Sequence, residues 1–349
     1  MRVAIIGAGL IGLERIQAIL KINLIAMGAV DVVMVVDSNA ERLTEINTRY
    51  GVPISTELPD LFARNPDWVF ICTPHFETKA LIFDAFSHNC NVLVEKPLGR
   101  SLLECSQILN EKPSHLSLFV GFNYRFFAGI NKIIGDAKNG RFGKLISVNM
   151  SLGHGNSPGM EQSWKLNFHK CGGGCLIDPG IHLLDLVHCI SDGEIKVQGG
   201  NSWAGFWATG VEEEAHLIVS DSAGVIYNLQ TSLVRWKSQF RLEINGESGY
   251  GVVEGRGRSY GPQSYRVGTR WGWLSGKTQK ESEEFIIEND DASNSFFVET
   301  ALLLGLSNVL NEIGNDFFLD PCNFNEAFQV MKTLEDCRTL LGLPTIEAY

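Results

Sequence analysis

No window of the chain approaches the roughly 20 consecutive apolar residues a membrane-spanning helix needs, so no helical span is expected. Basic residues are scarce too: 29 Lys and Arg stand against 40 Asp and Glu, a net charge of -11. That balance excludes nucleic acid or an anionic membrane surface as the main partner, since both would be repelled, but it leaves room for a local basic pocket. No internal repeat and no low-complexity linker interrupts the sequence, so two intimately packed domains are expected rather than an array. The paired C-x2-C spacing of structural zinc sites is also missing: Cys171 and Cys175 flank three glycines as C-x3-C, with His169 and His188 nearby, and no metal is expected. No secretory signal is read either, because Met1-Arg2 runs straight into a strand-like segment that ends in glycines. Without an export route the eight cysteines read as reduced thiols, and a cytoplasmic location is expected.

What is present is an ordinary globular composition, 44% hydrophobic and 20% charged over 349 residues, long enough for two domains. Up to about residue 120, short apolar runs at 2–6, 32–36, 68–72, 91–94 and 117–121 alternate with helical patterns. The runs are nearly continuous in hydrophobicity, as strands buried on both faces of a parallel sheet should be. Helix starts are expected at Ser38 with Glu41 and at Ser101 with Glu104, both at capping-box spacing. The result is an α/β reading: an N-terminal Rossmann domain with a doubly wound parallel sheet over residues 1–122. Beyond about residue 145 the runs 215–220, 225–234, 240–244 and 250–253 are separated by turn signals at 221–224 and Asn245-Gly246. They predict a C-terminal α+β domain over 123–349 with a large, mostly antiparallel sheet, for substrate binding and oligomerisation. Helical patterns return after about residue 295 and are expected to pack back on the first domain.

Gly7-Ala8-Gly9-Leu10-Ile11-Gly12 matches the G-x-G-x-x-G dinucleotide fingerprint. Gly7 allows the tight turn out of the strand, Gly9 lets backbone amides approach a pyrophosphate, and Gly12 lets the helix pack on the strand. The phosphates then meet the positive end of the helix dipole. Asp37 follows Gly12 by about 25 residues at the end of the next strand, where a carboxylate accepts from the adenosine ribose hydroxyls and repels a 2′-phosphate. NAD is therefore expected over NADP.

Two further segments are specific. Glu95-Lys96-Pro97 closes the run at 91–94, and Gly172-Gly173-Gly174 leads into Asp178-Pro179-Gly180-Ile181-His182-Leu183-Leu184-Asp185. With the glycine loop and Thr73-Pro74, they resemble the glucose–fructose oxidoreductase / inositol dehydrogenase / rhizopine catabolism (Gfo/Idh/MocA) family of NAD(P)-dependent oxidoreductases. The stretch from Trp236-Lys237 to Ser259-Tyr260-Gly261 is loosely similar to surface-polysaccharide sugar dehydrogenases. The resemblance implies that Lys96, Asp178 and His182 form the catalytic set, with Lys96 reaching the nicotinamide ribose and the reacting hydroxyl and His182 as acid–base. It implies that Thr73, Pro74 and Glu95 line the cofactor beside Gly7, Gly9, Leu10, Ile11, Gly12 and Asp37, and that the Lys96-Pro97 bond is cis. Thr78 stands where many members carry a histidine, with His75 shifted earlier.

The residues make chemical sense without the family. Oxidising an alcohol requires removing its proton, and an imidazole with an intrinsic pKa near 6.5 suits that task. A nearby ammonium stabilises the developing alkoxide. On a helix, Asp178 and His182 would project to one side with Asp185 along the same stripe. Asp178 before Pro179 is equally a helix N-cap with proline at the first helical position. Asn123, Tyr124, Arg125, Trp164 and Lys165 are candidates for substrate contact, Arg125 toward a carboxylate or phosphate. The expected activity is a dehydrogenase moving a hydride between nicotinamide and a carbinol carbon of a sugar, polyol or nucleotide sugar. An NAD-dependent glycoside hydrolase with transient oxidation and a non-catalytic sugar sensor are the alternatives. Apart from its small-molecule substrate, the expected partner is a second copy of the chain, in a dimer or tetramer.

Overall fold

The computed structural model describes residues 1–271, 282–287, 292–313 and 317–346. It divides into two compact units: Met1–Asn123 with Phe296–Asn315 and Pro321–Phe328, and Tyr124–Ser295 with Asp316–Asp320 and Gln329–Tyr349.

In the first unit the strands are β1 (Arg2–Ile6), β2 (Asp31–Val36), β3 (Ile54–Ser55), β4 (Trp68–Ile71), β5 (Asn91–Glu95) and β6 (Leu118–Gly121). The helices between them are α1 (Leu10–Ile25), α2 (Ala40–Tyr50), α3 (Leu58–Phe62), α4 (His75–Ser87) and α5 (Leu102–Glu111). The sheet order is β3-β2-β1-β4-β5-β6, all parallel, with Cys322–Asn323 added antiparallel outside β6. This is the doubly wound arrangement predicted from the alternating runs. Val3, Ala4, Ile5, Val35, Val69, Phe70, Val92 and Leu93 are all buried because helices cover both faces of the sheet. Such order reverses direction between β1 and β4, and ligands of these sheets bind at the strand C-termini beside that reversal.

Two helix starts test the capping readings. Ser101 caps α5, its hydroxyl accepting from the Glu104 amide at 3.3 Å. At α2 the expectation of Ser38 is corrected by one residue. Asp37 Oδ1 accepts from the Asn39 amide at 2.8 Å, and Asn39 then caps by accepting from the Arg42 amide at 2.9 Å. The local Asx turn at Asp37 holds the helix start one position later than sequence spacing suggested.

The second unit is built on β7 (Leu145–Gly153), β8 (Lys196–Trp203), β9 (Glu214–Ser220), β10 (Ile226–Ser232), β11 (Gln239–Gly246), β12 (Gly249–Glu254), β13 (Gln263–Thr269) and β14 (Ser282–Ile287). They form one sheet in the order β14-β13-β12-β11-β7-β10-β9-β8. Only β7 and β10 pair in parallel; the other neighbours are antiparallel. Burial alternates along β9, β10 and β11, so one face is covered and the other open. The covered face, with Val148, Leu152, Leu217, Tyr227, Leu242 and Ile244, packs under α6 (Ala128–Lys138) and α8 (Ile181–Ile190).

No helix among the described residues is long and apolar enough to cross a membrane. All eight cysteines are free thiols.

Candidate active site

The candidate cofactor residues gather at the strand C-termini of the first unit's sheet. The glycine loop leaves β1, Asp37 leaves β2, Thr73-Pro74 leaves β4, and Lys96 leaves β5, all at strand C-termini. Gly7 has φ +97, and a Cβ there would lie 2.7 Å from the Cys72 carbonyl oxygen. A Cβ on Gly12 would lie 1.9 Å from the Gly7 carbonyl oxygen. These two glycines are demanded by close packing. Gly9 is different: a Cβ there would meet nothing within 4 Å, so the loop opens onto free space at the start of α1. No side chain caps α1 at Gly9, which leaves the first-turn amides of Leu10, Ile11 and Gly12 facing a natural anion position. This cradle fits a dinucleotide pyrophosphate.

Asp37 is more tightly held than its motif role requires. Its Oδ2 accepts from the Ala8 amide at 2.7 Å while Oδ1 takes Asn39. A carboxylate offers about four acceptor positions, so two remain for ribose hydroxyls. Glu95 turns away from ligand duty. Its Oε1 accepts from Arg15 Nε and Nη2 at 2.8 and 2.6 Å, and Arg15 Nη2 also donates to Glu299 Oε2 at 2.6 Å. Burial alone would lower the Arg15 pKa; Glu95, then Glu299, hold it above its ordinary value. The Lys96-Pro97 peptide is cis, and Lys96 is half-buried at the end of β5. Thr73 and Pro74 lead into α4, with His75 and Thr78 buried in its first turn.

In the second unit the candidate residues gather around α8. The expected helix starting at Asp178 is corrected: α8 begins at Ile181, and its N-cap position is Gly180. Asp178 stands in the turn before it, and the Asp178-Pro179 bond is cis as well. Gly180 closes that turn, because a Cβ there would lie 2.7 Å from the Cys175 carbonyl oxygen, which its own amide reaches at 2.7 Å. Freed from capping, Asp178 Oδ2 receives the Lys165 ammonium at 2.9 Å. Asp178 attracts the proton on Lys165 and raises its pKa, against the opposing effect of burial. Trp164 lies beside it, with the Lys165 ammonium 5.9 Å from its ring centre.

His182 is buried on α8, its imidazole stacked on Tyr124 with ring centres 3.9 Å apart and planes 21° apart. Burial raises the Tyr124 phenol pKa, so it stays protonated across the working pH range. Two residues expected to touch substrate, Lys165 and Tyr124, are thus brought onto two expected catalytic residues. Arg125 is not free for such a role. Its Nε and Nη2 fork Asp185 at 2.6 to 3.1 Å, and Nη1 donates to the Asp320 carbonyl at 3.0 Å. The pair ties the 3-10 turn Asn123–Phe126 to α8 with both side chains almost fully buried. Asn123 is buried in the same turn.

Sequence reasoning did not single out the residues that shape the triple-glycine loop. Glu212 Oε1 accepts from the Gly174 and Leu176 amides at 3.0 and 3.1 Å, its carbonyl accepts from Cys175 at 2.8 Å, and Arg338 donates to the Gly172 carbonyl. Three successive glycines expose amides that need an acceptor, but Glu212 lies in a run of three acids that reads as a solvated face. Arg256 is a second omission. Its guanidinium carbon lies 5.0 Å from the Tyr124 ring centre and 3.8 Å from that of Tyr260.

Comparison with known proteins agrees with this geometry. The family model described as oxidoreductase family, NAD-binding Rossmann fold, matches residues 1–122, and that for the GFO/IDH/MocA C-terminal domain matches 137–251. The chain belongs to the Gfo/Idh/MocA oxidoreductase family. A myo-inositol 2-dehydrogenase of Thermotoga maritima is 27% identical over 191 residues, 54% of this chain and 55% of that protein. The chain thus spans about half the length of this relative. An inositol 2-dehydrogenase of an Arthrobacter species is 26% identical over 286 residues, 78% of each chain. In structure, levoglucosan dehydrogenase in complex with NADH superposes with a TM-score of 0.82 at 16% identity, covering 99% of this chain and all of that one. Its likeness supports the two-sheet fold.

Proposed function

We propose that the chain is an NAD-dependent dehydrogenase acting on a CH–OH group of a sugar, polyol or nucleotide sugar. Each unit carries one supporting observation: an open glycine cradle with Asp37 fixed beside it in the first, and a buried imidazole with a Lys165–Asp178 ion pair in the second. Bound nicotinamide supplies the hydride acceptor. His182 takes the hydroxyl proton, Tyr124 holds its ring flat, and Lys96 offers positive charge to the oxygen as it becomes an alkoxide. Asp178, held by Lys165, accepts a hydrogen bond from the substrate and fixes its orientation. Asp37 occupies the position a 2′-phosphate would need, which favours NAD.

We also propose a cytoplasmic enzyme that assembles as a dimer or tetramer through the open sheet face. Ile218 and Ile226 expose 45 and 47% of their surface there, and Trp203 exposes 53%. Absorbance of NADH with a panel of sugars, polyols and nucleotide sugars tests the activity. Net NADH formation with at least one of them is expected. Release of a free sugar without net NADH would favour the hydrolase reading, and silence across the panel would count against catalysis.

A further inference from the structure

Residues 234–240 with Glu254, Gly255 and Tyr260 line an open cavity of about 530 Å³. It adjoins the His182 cluster through rings. Phe240 lies 5.8 Å edge-on from Tyr124, and Tyr260 reaches the same tyrosine through the Arg256 guanidinium.

The charge around this cavity is unlike that of the rest of the molecule. In a chain with 40 acidic against 29 basic residues, three cations come together here: Arg235 and Lys237 on the lining, and Arg256 behind it against the Tyr260 ring. Among the described residues none of the three has a carboxylate partner, and the buried Nε of both arginines has no hydrogen-bond acceptor. The one acid on the lining, Glu254, is already engaged by cations from the sheet: it accepts from Arg241, and Arg266 lies 4.0 Å away. Local positive charge is therefore not cancelled, and it suits an anion of more than one charge.

Trp236 adds a second kind of recognition. It is 97% exposed, yet its backbone is packed tightly, since a Cβ on Gly155 would lie 2.1 Å from the Arg235 carbonyl oxygen. An indole with open faces on a fixed stretch of backbone, beside two cations, is a platform for a flat ring attached to phosphates.

We propose that this cavity seats the nucleoside diphosphate arm of a nucleotide-activated sugar. The base stacks on Trp236, the phosphates lie against Arg235, Lys237 and Arg256, and the sugar extends past Tyr260 toward His182. The inference rests on the dehydrogenase reading for the sugar end and narrows its substrate class.

The test is calorimetric titration of the full chain, saturated with NADH so that the dinucleotide site is filled, with UDP, uridine and pyrophosphate as separate probes. Stacking on an indole tolerates every base, so UDP serves as a general probe. UDP is expected to bind at least tenfold more tightly than either fragment. Trp236→Ala should weaken UDP by roughly tenfold or more while leaving pyrophosphate unchanged. Arg235→Ala with Lys237→Ala should weaken both and flatten the salt dependence, and no variant should shift NADH affinity. Equal binding of UDP and pyrophosphate, or UDP binding indifferent to Trp236, would overturn the proposal. So would an absence of UDP binding in protein that binds NADH and oxidises a free polyol, whereas failure to bind NADH would instead sink the dehydrogenase reading.

Discussion

The candidate residues of the two units are fixed in place by opposite means. On the first, the ligand edge is backbone: amides at the start of α1, an open Gly9, and a carboxylate, Asp37, itself anchored by the Ala8 and Asn39 amides. On the second, side chains hold one another in pairs and stacks: Lys165 on Asp178, with Tyr124 against His182 and Arg256, over the structural Arg125–Asp185 pair. Backbone recognition is generic to any pyrophosphate, whereas side-chain recognition sets what else is bound. The difference teaches that cofactor choice and substrate choice can be altered independently.

The comparison breaks most sharply at Gly12. Gly12→Ala would put a Cβ 1.9 Å from the Gly7 carbonyl oxygen, and NADH affinity by fluorescence titration should fall at least a hundredfold, since a backbone loop has no side chain to move aside. Retained affinity would show that the loop is not the cradle. On the other unit the equivalent blow is Arg125→Ala, which removes the guanidinium that the buried Asp185 carboxylate accepts from. Loss of one member of a buried pair costs about 3–5 kcal/mol, so urea denaturation should show a loss of that order.

A gentler effect comes from His188. Burial first, and Arg125 second, push its pKa down to about 4. Between the ordinary histidine value near 6.5 and about 4, the unfolded chain binds a proton that the native chain refuses. Stability from this group is therefore intact above pH 7 and falls as pH drops through that window, by on the order of 2–3 kcal/mol at the acid end. His188→Gln should flatten the acid limb of a plot of Tm against pH; an unchanged limb would refute the assignment. Smallest is Asp37→Ala, expected to narrow the preference for NAD over NADP by roughly tenfold when both are titrated. Tighter NADP binding by the unaltered protein would reverse the argument.

The same contrast explains what could be read from the sequence. Backbone sites announce themselves, because glycine spacing records where a Cβ cannot stand; Gly7, Gly12 and the buried parallel strands were placed within a residue or two. Side-chain pairs leave no such record. Nothing near Arg125 in sequence points to Asp185, sixty positions on, and a short local motif made Arg125 look available to substrate. Asp178 read as a helix cap because Asp-Pro has that signature, yet the turn closed by Gly180 delays α8 to Ile181. Strands β7, β8 and β13 escaped notice because one face of each is open, and Asn149, Ser151, Gln198 and Arg266 dilute their hydrophobic pattern.

The most direct measurement is single-turnover NADH formation by His182→Ala and Lys96→Ala, run beside NADH titrations on the same preparations. The account predicts that the rate falls 10²–10⁴-fold in the histidine variant, the usual worth of general acid–base catalysis, and severely in the lysine variant. NADH affinity should stay within about threefold, because these groups act on the hydroxyl in the transition state. Near-normal turnover in both variants would contradict it.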